Sequence, residues 1–152
     1  MFRGLTSINL DEKGRLAIPT KYRAELQECC ESRLVVTAGL DRCLLLYPLP
    51  EFETMERHLV KLPSLNKQTK ALQRLLIGHA TDCEMDGQGR FLIPDPLRKK
   101  AGLEKKVSFV GQGNKFEIWD EEAWNQIHED PVVEDALGDL TNLPPELASF
   151  SF

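Results

Sequence analysis

Asp11-Glu12-Lys13-Gly14-Arg15-Leu16-Ala17-Ile18-Pro19-Thr20-Lys21-Tyr22-Arg23 recurs 75 residues later as Asp86-Gly87-Gln88-Gly89-Arg90-Phe91-Leu92-Ile93-Pro94-Asp95-Pro96-Leu97-Arg98. Six of the thirteen positions are identical, where chance gives roughly one over that length. The match continues at an offset of 72, with Val35 to Phe52 on Val107 to Trp124. Gly39 then falls on Gly111, Tyr47 on Trp119 and Phe52 on Trp124. A loop absorbs the three-residue difference between the two offsets. A period of this kind marks two copies of one supersecondary unit. The copies span 5–52 and 81–124, with a helical connector over 53–80 and an acidic C-terminal tail over 125–152.

Each copy reads as strand, turn, strand, helix, strand and a last apolar strand. Thr6 to Leu10 alternates in part, Asp11 to Gly14 turns, and Arg15 to Ile18 returns. Gly14 and Gly89 stand where a hairpin connection wants positive φ. Pro19 ends its strand because it has no N–H to give to a ladder. A short helix is predicted over 20–28. Its equivalent in copy two has Asp95 as N-cap, Pro96 in the first turn and Gly102 at the C-terminal stop. Leu34–Thr37 with Cys43–Tyr47, and Val107–Gly111 with Lys115–Trp119, read as hairpins. In the connector, Phe52, Met55, Leu59 and Leu62 form one helical stripe, with Glu53 and Arg57 as an i,i+4 pair. Leu65, Leu72, Leu75 and Leu76 form a second stripe, with Gly78 as a stop. Asp120 reads as the N-cap of a helix bearing Ala123, Trp124 and Ile127, and the tail carries Pro144-Pro145 and Phe150-Ser-Phe152.

The chain has 152 residues, 41% hydrophobic and 28% charged, an ordinary globular composition. Its longest apolar run, Leu44 to Tyr47, is far short of the roughly 20 residues a membrane helix needs. Met1-Phe-Arg-Gly4 has no export-signal character, so a cytoplasmic location is expected. The net charge of −5 hides an asymmetry. Residues 1–120 carry 19 basic and 16 acidic side chains, and residues 121–152 carry 8 acidic and no Lys or Arg. A mildly basic body therefore precedes an acidic tail.

Cys29, Cys30, Cys43 and Cys83 show no Cys-x-x-Cys spacing, and His58, His79 and His128 are scattered. No metal site and no cofactor are expected. No nucleophile elbow occurs, and Gly111-Gln-Gly113-Asn-Lys115 lacks the ending of a phosphate-binding loop. Asp11 and Asp86 each have an Arg four residues on, which keeps a carboxylate ionised and unsuited to acid–base work. No catalytic residue is assigned and the chain is not expected to be an enzyme.

The repeated turn is where recognition chemistry is concentrated. Arg15 and Arg90 offer planar, permanently charged forks for phosphate or a guanine edge. Asp11 and Asp86 can accept from the fork or from turn amides and so aim it. One copy alone reads rather as a surface ion pair that tidies a turn. Recurrence with Ile-Pro and with Arg23 and Arg98 decides for recognition.

The unit from Asp11 to Arg23 resembles the AbrB/SpoVT swapped-hairpin DNA-binding domain. Two copies in one chain resemble the bacterial MraZ transcriptional regulators. Met1-Phe-Arg-Gly4, Cys43-Leu-Leu-Leu-Tyr-Pro-Leu-Pro50, Gln73-Arg-Leu-Leu-Ile-Gly-His-Ala80 and Asn114-Lys-Phe-Glu-Ile-Trp-Asp120 look like the same family. The resemblance implies a mainly β fold with helices (α+β), an intrachain pseudo-dimer of two swapped-hairpin units forming a β-barrel. It implies a ring of several subunits binding repeated boxes in double-stranded promoter DNA. It also implies repression of the chain's own operon in the division and cell-wall cluster, and nucleoid association. Carried onto matching positions, the DNA-binding candidates are Arg15, Arg90, Arg23 and Arg98, with Arg3 and Lys13 as basic neighbours of the face. Some arginines of the motif are structural in the fold, and Gln88 replaces Lys13 in copy two. The alternative from another class is a ring-forming interaction scaffold with no nucleic-acid role. The charge asymmetry makes a prediction of its own. Truncation after His128 should raise affinity for random duplex DNA at low salt in a filter-binding assay; unchanged affinity would leave the tail a solubilising segment.

Overall fold

The structure, a computed structural model, describes residues 1–129. The sequence expectations for the tail beyond them lie outside the described residues. Copy one supplies β1 (Phe2–Asn9), β2 (Arg15–Ala17), α1 (Thr20–Cys30), β3 (Arg33–Ala38) and β4 (Leu44–Pro48). α2 (Leu49–Val60) and α3 (Lys67–Leu76) follow. Copy two supplies β5 (Thr81–Glu84), β6 (Arg90–Leu92), α4 (Asp95–Lys100), β7 (Lys106–Gly113) and β8 (Phe116–Asp120), and α5 (Glu121–Glu129) comes last.

The predicted hairpins β3–β4 and β7–β8 form as read. The other pairings cross between copies. β1 runs antiparallel to β7 along its whole length, from Phe2↔Gly113 to Asn9↔Lys106. β5 pairs with β3 in the mirrored arrangement. Each copy therefore lends its first strand to the third strand of the other. Equivalent strands also pair with each other. Leu44 faces Ile118 and Leu46 faces Phe116 in β4–β8, while Arg15 faces Leu92 and Ala17 faces Arg90 in β2–β6. Such reciprocal antiparallel pairing is what a two-fold axis between like units demands. The swapped, pseudo-dimeric α+β architecture is thus present within one chain. Its strands form a six-stranded sheet, β1-β7-β8-β4-β3-β5, and a separate two-stranded ribbon, β2-β6. A closed barrel is not shown: no ladder joins β1 to β5 at the edges of the six-stranded sheet.

One core serves both copies. Leu16, Ile18, Leu26, Leu34, Val36, Leu44 and Leu46 from copy one meet Phe91, Ile93, Leu97, Val107, Phe109, Phe116 and Ile118 from copy two. Phe116 stacks at 4.6 Å from Phe109, lies 4.4 Å from Phe2 and takes the Tyr22 ring edge-on at 5.0 Å. The Tyr22 hydroxyl donates to the Arg3 carbonyl, fixing the start of α1 on β1. The aromatic pairs add to the apolar area they remove from water. Tyr47 and Trp119 are buried.

Local readings differ in several places, and Leu62 and Leu65 of the two predicted stripes lie outside α2 and α3 and are exposed. β1 begins at Phe2 rather than Thr6, because β7 offers it a partner as far as Gly113. α1 runs to Cys30, and the left-handed turn that ends it is made by Glu31 (φ 53°) and Ser32 (φ 64°), where no glycine announces a stop. Pro94, not Asp95, occupies the N-cap of α4, and the Asp95 carboxylate pairs with Lys99 at 3.0 Å and Arg98 at 3.5 Å. Arg57 donates to the Thr54 hydroxyl at 3.2 Å, in place of the expected Glu53 pair. α3 is capped by Asn66, whose side chain accepts from the Gln68 N–H at 2.8 Å.

Leu16 and Phe91 face each other across the ribbon and are 0% and 1% exposed, so they seat β2–β6 on the core. Phe91→Ala should therefore cost about 3–5 kcal/mol, a large share of a typical domain's stability. Urea denaturation checks this; a loss under 1 kcal/mol would mean that the ribbon is not anchored there.

Candidate nucleic-acid interface

The ribbon's geometry follows from the period of two along a strand. With Leu16 and Phe91 turned inward, Arg15, Ala17, Arg90 and Leu92 share the outer face. Arg15 lies opposite Leu92 and Arg90 opposite Ala17, so the two arginines are diagonal neighbours, with Cα atoms about 7–8 Å apart. Their side chains are 31% and 32% exposed.

Both forks are held in the same way. Asp11 Oδ1 accepts from the Lys13 N–H at 3.0 Å and the Arg15 N–H at 2.8 Å, and its Oδ2 accepts from Arg15 Nε at 2.8 Å. In copy two, Asp86 Oδ1 accepts from the N–H groups of Gln88 and Arg90, both at 2.9 Å, and Oδ2 from Arg90 Nε at 3.2 Å. Each turn is closed by its own backbone, with Gly14 N–H donating to the Asp11 carbonyl and Gly89 N–H to that of Asp86, both at 3.0 Å. Tying Nε to the turn leaves the two terminal nitrogens of each fork to donate outward. That is the arrangement for bidentate recognition of a phosphate or of guanine O6 and N7. The backbone N–H of Arg15 is the largest influence on Asp11 and holds its carboxyl below the usual 3.8, with the Arg15 guanidinium and the Lys13 N–H adding to it against an opposing effect of desolvation. Asp86 is lowered in the same way, chiefly by the Arg90 N–H.

The other candidates divide by position. Lys13 is exposed at the first tip and Gln88 at the second. Arg23 and Arg98 belong to the turns of the opposite copies. Arg23 Nε donates to the Ile18 carbonyl at 2.8 Å, and a Cβ placed on Gly89 would lie 2.1 Å from that nitrogen. A Cβ on Gly14 would lie 2.4 Å from Arg98 Nη1. These glycines, at φ 85° and 77°, thus serve both the left-handed turn and the approach of an arginine from the other copy. The turns are also bonded across copies, with Ile18 N–H to the Gly89 carbonyl at 2.8 Å and Ile93 N–H to that of Gly14 at 2.9 Å. Arg98 Nε is buried with no hydrogen-bond partner, a departure from the Arg23 arrangement. Arg3 is exposed in β1, and its carbonyl accepts from the Tyr22 hydroxyl in the first turn of α1.

Sequence reasoning passed over Ala17 and Leu92, although strand alternation places both beside the arginines. Nothing else among the described residues gathers reactive chemistry. They hold no group of three or more His, Cys, Asp or Glu able to bind a metal. Burial pushes the Cys43 and Cys83 thiols up to about 12, far from a thiolate at neutral pH. No described helix is long and apolar enough to cross a membrane.

Comparison with known proteins gives a consistent result. A family model described as "MraZ protein, putative antitoxin-like" matches residues 1–75 and again 76–135. The chain is 62% identical to a protein of Methylococcus capsulatus named transcriptional regulator MraZ, over the full length of both. It is 53% identical to the protein of that name from Alkalilimnicola ehrlichii, covering 93% of this chain and 99% of that one. It is also 53% identical to the one from Pseudomonas aeruginosa, covering 97% of each.

The turn carboxylates can be titrated. A carboxyl whose pKa is lowered by folding stabilises the fold above its unfolded value, and that stability is lost as pH falls through the folded value. Asp11 and Asp86 should therefore remain ionised as pH falls through 3.8 while the chain is folded, and protonate only below it. Carboxyl-carbon NMR titration reads this directly; ordinary titration of both would show that the turn amides do not hold them.

Proposed function

The chain belongs to the MraZ family of transcriptional regulators, and on that premise we propose that it binds double-stranded promoter DNA sequence-specifically through the outer face of the β2–β6 ribbon. The observation that carries this reading is the pair of Asp-tethered arginines set diagonally on one exposed two-stranded ribbon. The major groove of B-DNA, about 12 Å wide, admits such a ribbon, and Arg forks match guanine there. In this reading Arg15 and Arg90 read bases and Asp11 and Asp86 aim them. Lys13 adds a phosphate contact at one tip that Gln88 does not supply at the other. Arg23 and Arg98 brace the turns and do not touch the duplex. Arg3, exposed in β1, remains a basic neighbour of the face.

One face is a small site. Each bidentate Arg–base pair supplies about 1–3 kcal/mol of discrimination. Repeating the face around a homo-oligomeric ring multiplies avidity without new contacts when the DNA boxes match the subunit spacing. We accordingly assign the chain as a ring-forming, cytoplasmic and nucleoid-associated repressor of its own operon in the division and cell-wall cluster. The assignment uses no cofactor and no small-molecule substrate.

Gel-shift titration on DNA from upstream of the chain's own gene tests the reading. Arg15→Ala should weaken binding at least about tenfold while leaving the circular dichroism spectrum unchanged. Arg90→Ala should weaken it less, because its copy lacks the neighbouring Lys. Undiminished binding by folded Arg15→Ala would overturn the assignment of the face. A chain that forms rings yet shifts no DNA at moderate salt would instead be an assembly scaffold.

A further inference from the structure

Beyond Lys13 and Gln88 at the tips, the two halves of the arginine face differ in a side chain on the ribbon itself that neither copy's folding requires. Leu92 lies directly opposite Arg15 and is 52% exposed. Its equivalent in copy one, opposite Arg90, is Ala17. The same strand, turn and pairing are thus built with a methyl group at this position in one copy, so the larger side chain of Leu92 is not there to complete the ribbon. The inward position between its neighbours is already filled by Phe91, which is 1% exposed. A leucine left in water on a three-residue strand, between two tethered arginines, presents an apolar surface to whatever the arginines bind.

We propose that Leu92 is a base-reading residue, taking the C5-methyl of a thymine adjacent to the base read by Arg15, with Ala17 as its weaker counterpart beside Arg90. This inference rests on the reading of the ribbon as the DNA face. The stereochemistry fits in two respects. Thymine is the base that projects an apolar group into the major groove, and apolar side chains meet that methyl. A leucine is shorter than an arginine, and the methyl protrudes toward it, so one ribbon can bring both to their targets. Residues directly opposite on a ribbon have Cβ atoms about 4.5–5.5 Å apart, and successive bases on one strand are about 3.4 Å apart. The pair Arg15–Leu92 therefore spans about one base step. It would read a guanine and a thymine as a unit, whereas Arg90–Ala17 would read its guanine with little preference beside it. The face then has a polarity along the DNA that two identical copies would lack.

The test is a four-cornered binding experiment on the full chain. Wild type and Leu92→Ala are titrated against the upstream DNA, with each thymine of the footprinted box replaced in turn by deoxyuridine, which lacks only the methyl. Wild type should lose roughly fourfold at one thymine per box, the effect of removing one methyl from an apolar contact. Leu92→Ala should bind thymine and uracil DNA equally at that position, and Ala17→Gly should retain the wild-type discrimination there. Wild-type indifference to every thymine methyl, or a Leu92→Ala chain that still discriminates, would overturn the inference while leaving DNA binding by the arginines standing. Equal weakening of Leu92→Ala on both DNAs would also overturn it, by showing a contact that does not read the methyl. A wild-type chain that binds no upstream DNA would remove the reading beneath it as well. Leu92 is exposed, so the variant should fold, and its circular dichroism spectrum confirms that it does.

Discussion

Neither copy of the repeat can satisfy its own first strand. β1 would leave a row of N–H and C=O groups unpaired within copy one, and β5 would do the same within copy two. Both find their ladders on the third strand of the other copy. Backbone groups left without partners away from water are costly. The exchange is therefore the constraint from which the rest of the structure follows. It sets the two copies about a pseudo-two-fold axis, merges their apolar faces into one core, and brings the two short return strands together as β2–β6. A three-residue strand has little independent stability. The ribbon persists because Leu16 and Phe91 are buried beneath it and because Ile18 and Ile93 are bonded across to the opposite turns.

The same motif uses its arginines in two ways, eight residues apart. Arg15 and Arg90 are tethered by Nε to the carboxylate of their own turn and point outward. Arg23 and Arg98 lie one helical step further on and pack beneath the turn of the other copy, against glycines that leave room for them. The outer pair depends on the inner pair through the backbone of the tips. A rigid tip holds a recognition fork at low entropic cost, since less side-chain freedom remains to be lost on binding. The Asp tether serves the same end and keeps a compensating negative charge at the face. Local geometry, rather than bulk charge, distinguishes these turns in a chain of net −5.

Much of this was legible in the residues. The turns were, because glycine at positive φ is a local requirement. Gly14 and Gly89 stand at φ 85° and 77° where the hairpin reading placed them. The β3–β4 and β7–β8 hairpins were, because their strands are adjacent in sequence. The N-terminal reach of β1 was not, because Phe2 to Leu5 carry no alternation of their own and are extended only by β7. The end of α1 was not, because Glu31 and Ser32 adopt a backbone that their side chains disfavour. Asp95 looked like a cap by type, yet Pro94 took that position and left the carboxylate to Lys99 and Arg98.

The sequence by itself determined that there are two copies, where each turns, and that an Asp and an Arg recur four apart at each tip. These are short-range matters of φ, of alternation and of a side chain reaching its own turn. Only the tertiary structure decided which strand pairs with which, which arginines are braces and which are forks, and that Leu92 stands beside Arg15. Those outcomes depend on contacts between residues some 75 positions apart. Such contacts form only when burying both copies in one core outweighs the entropy of closing the long connection between them.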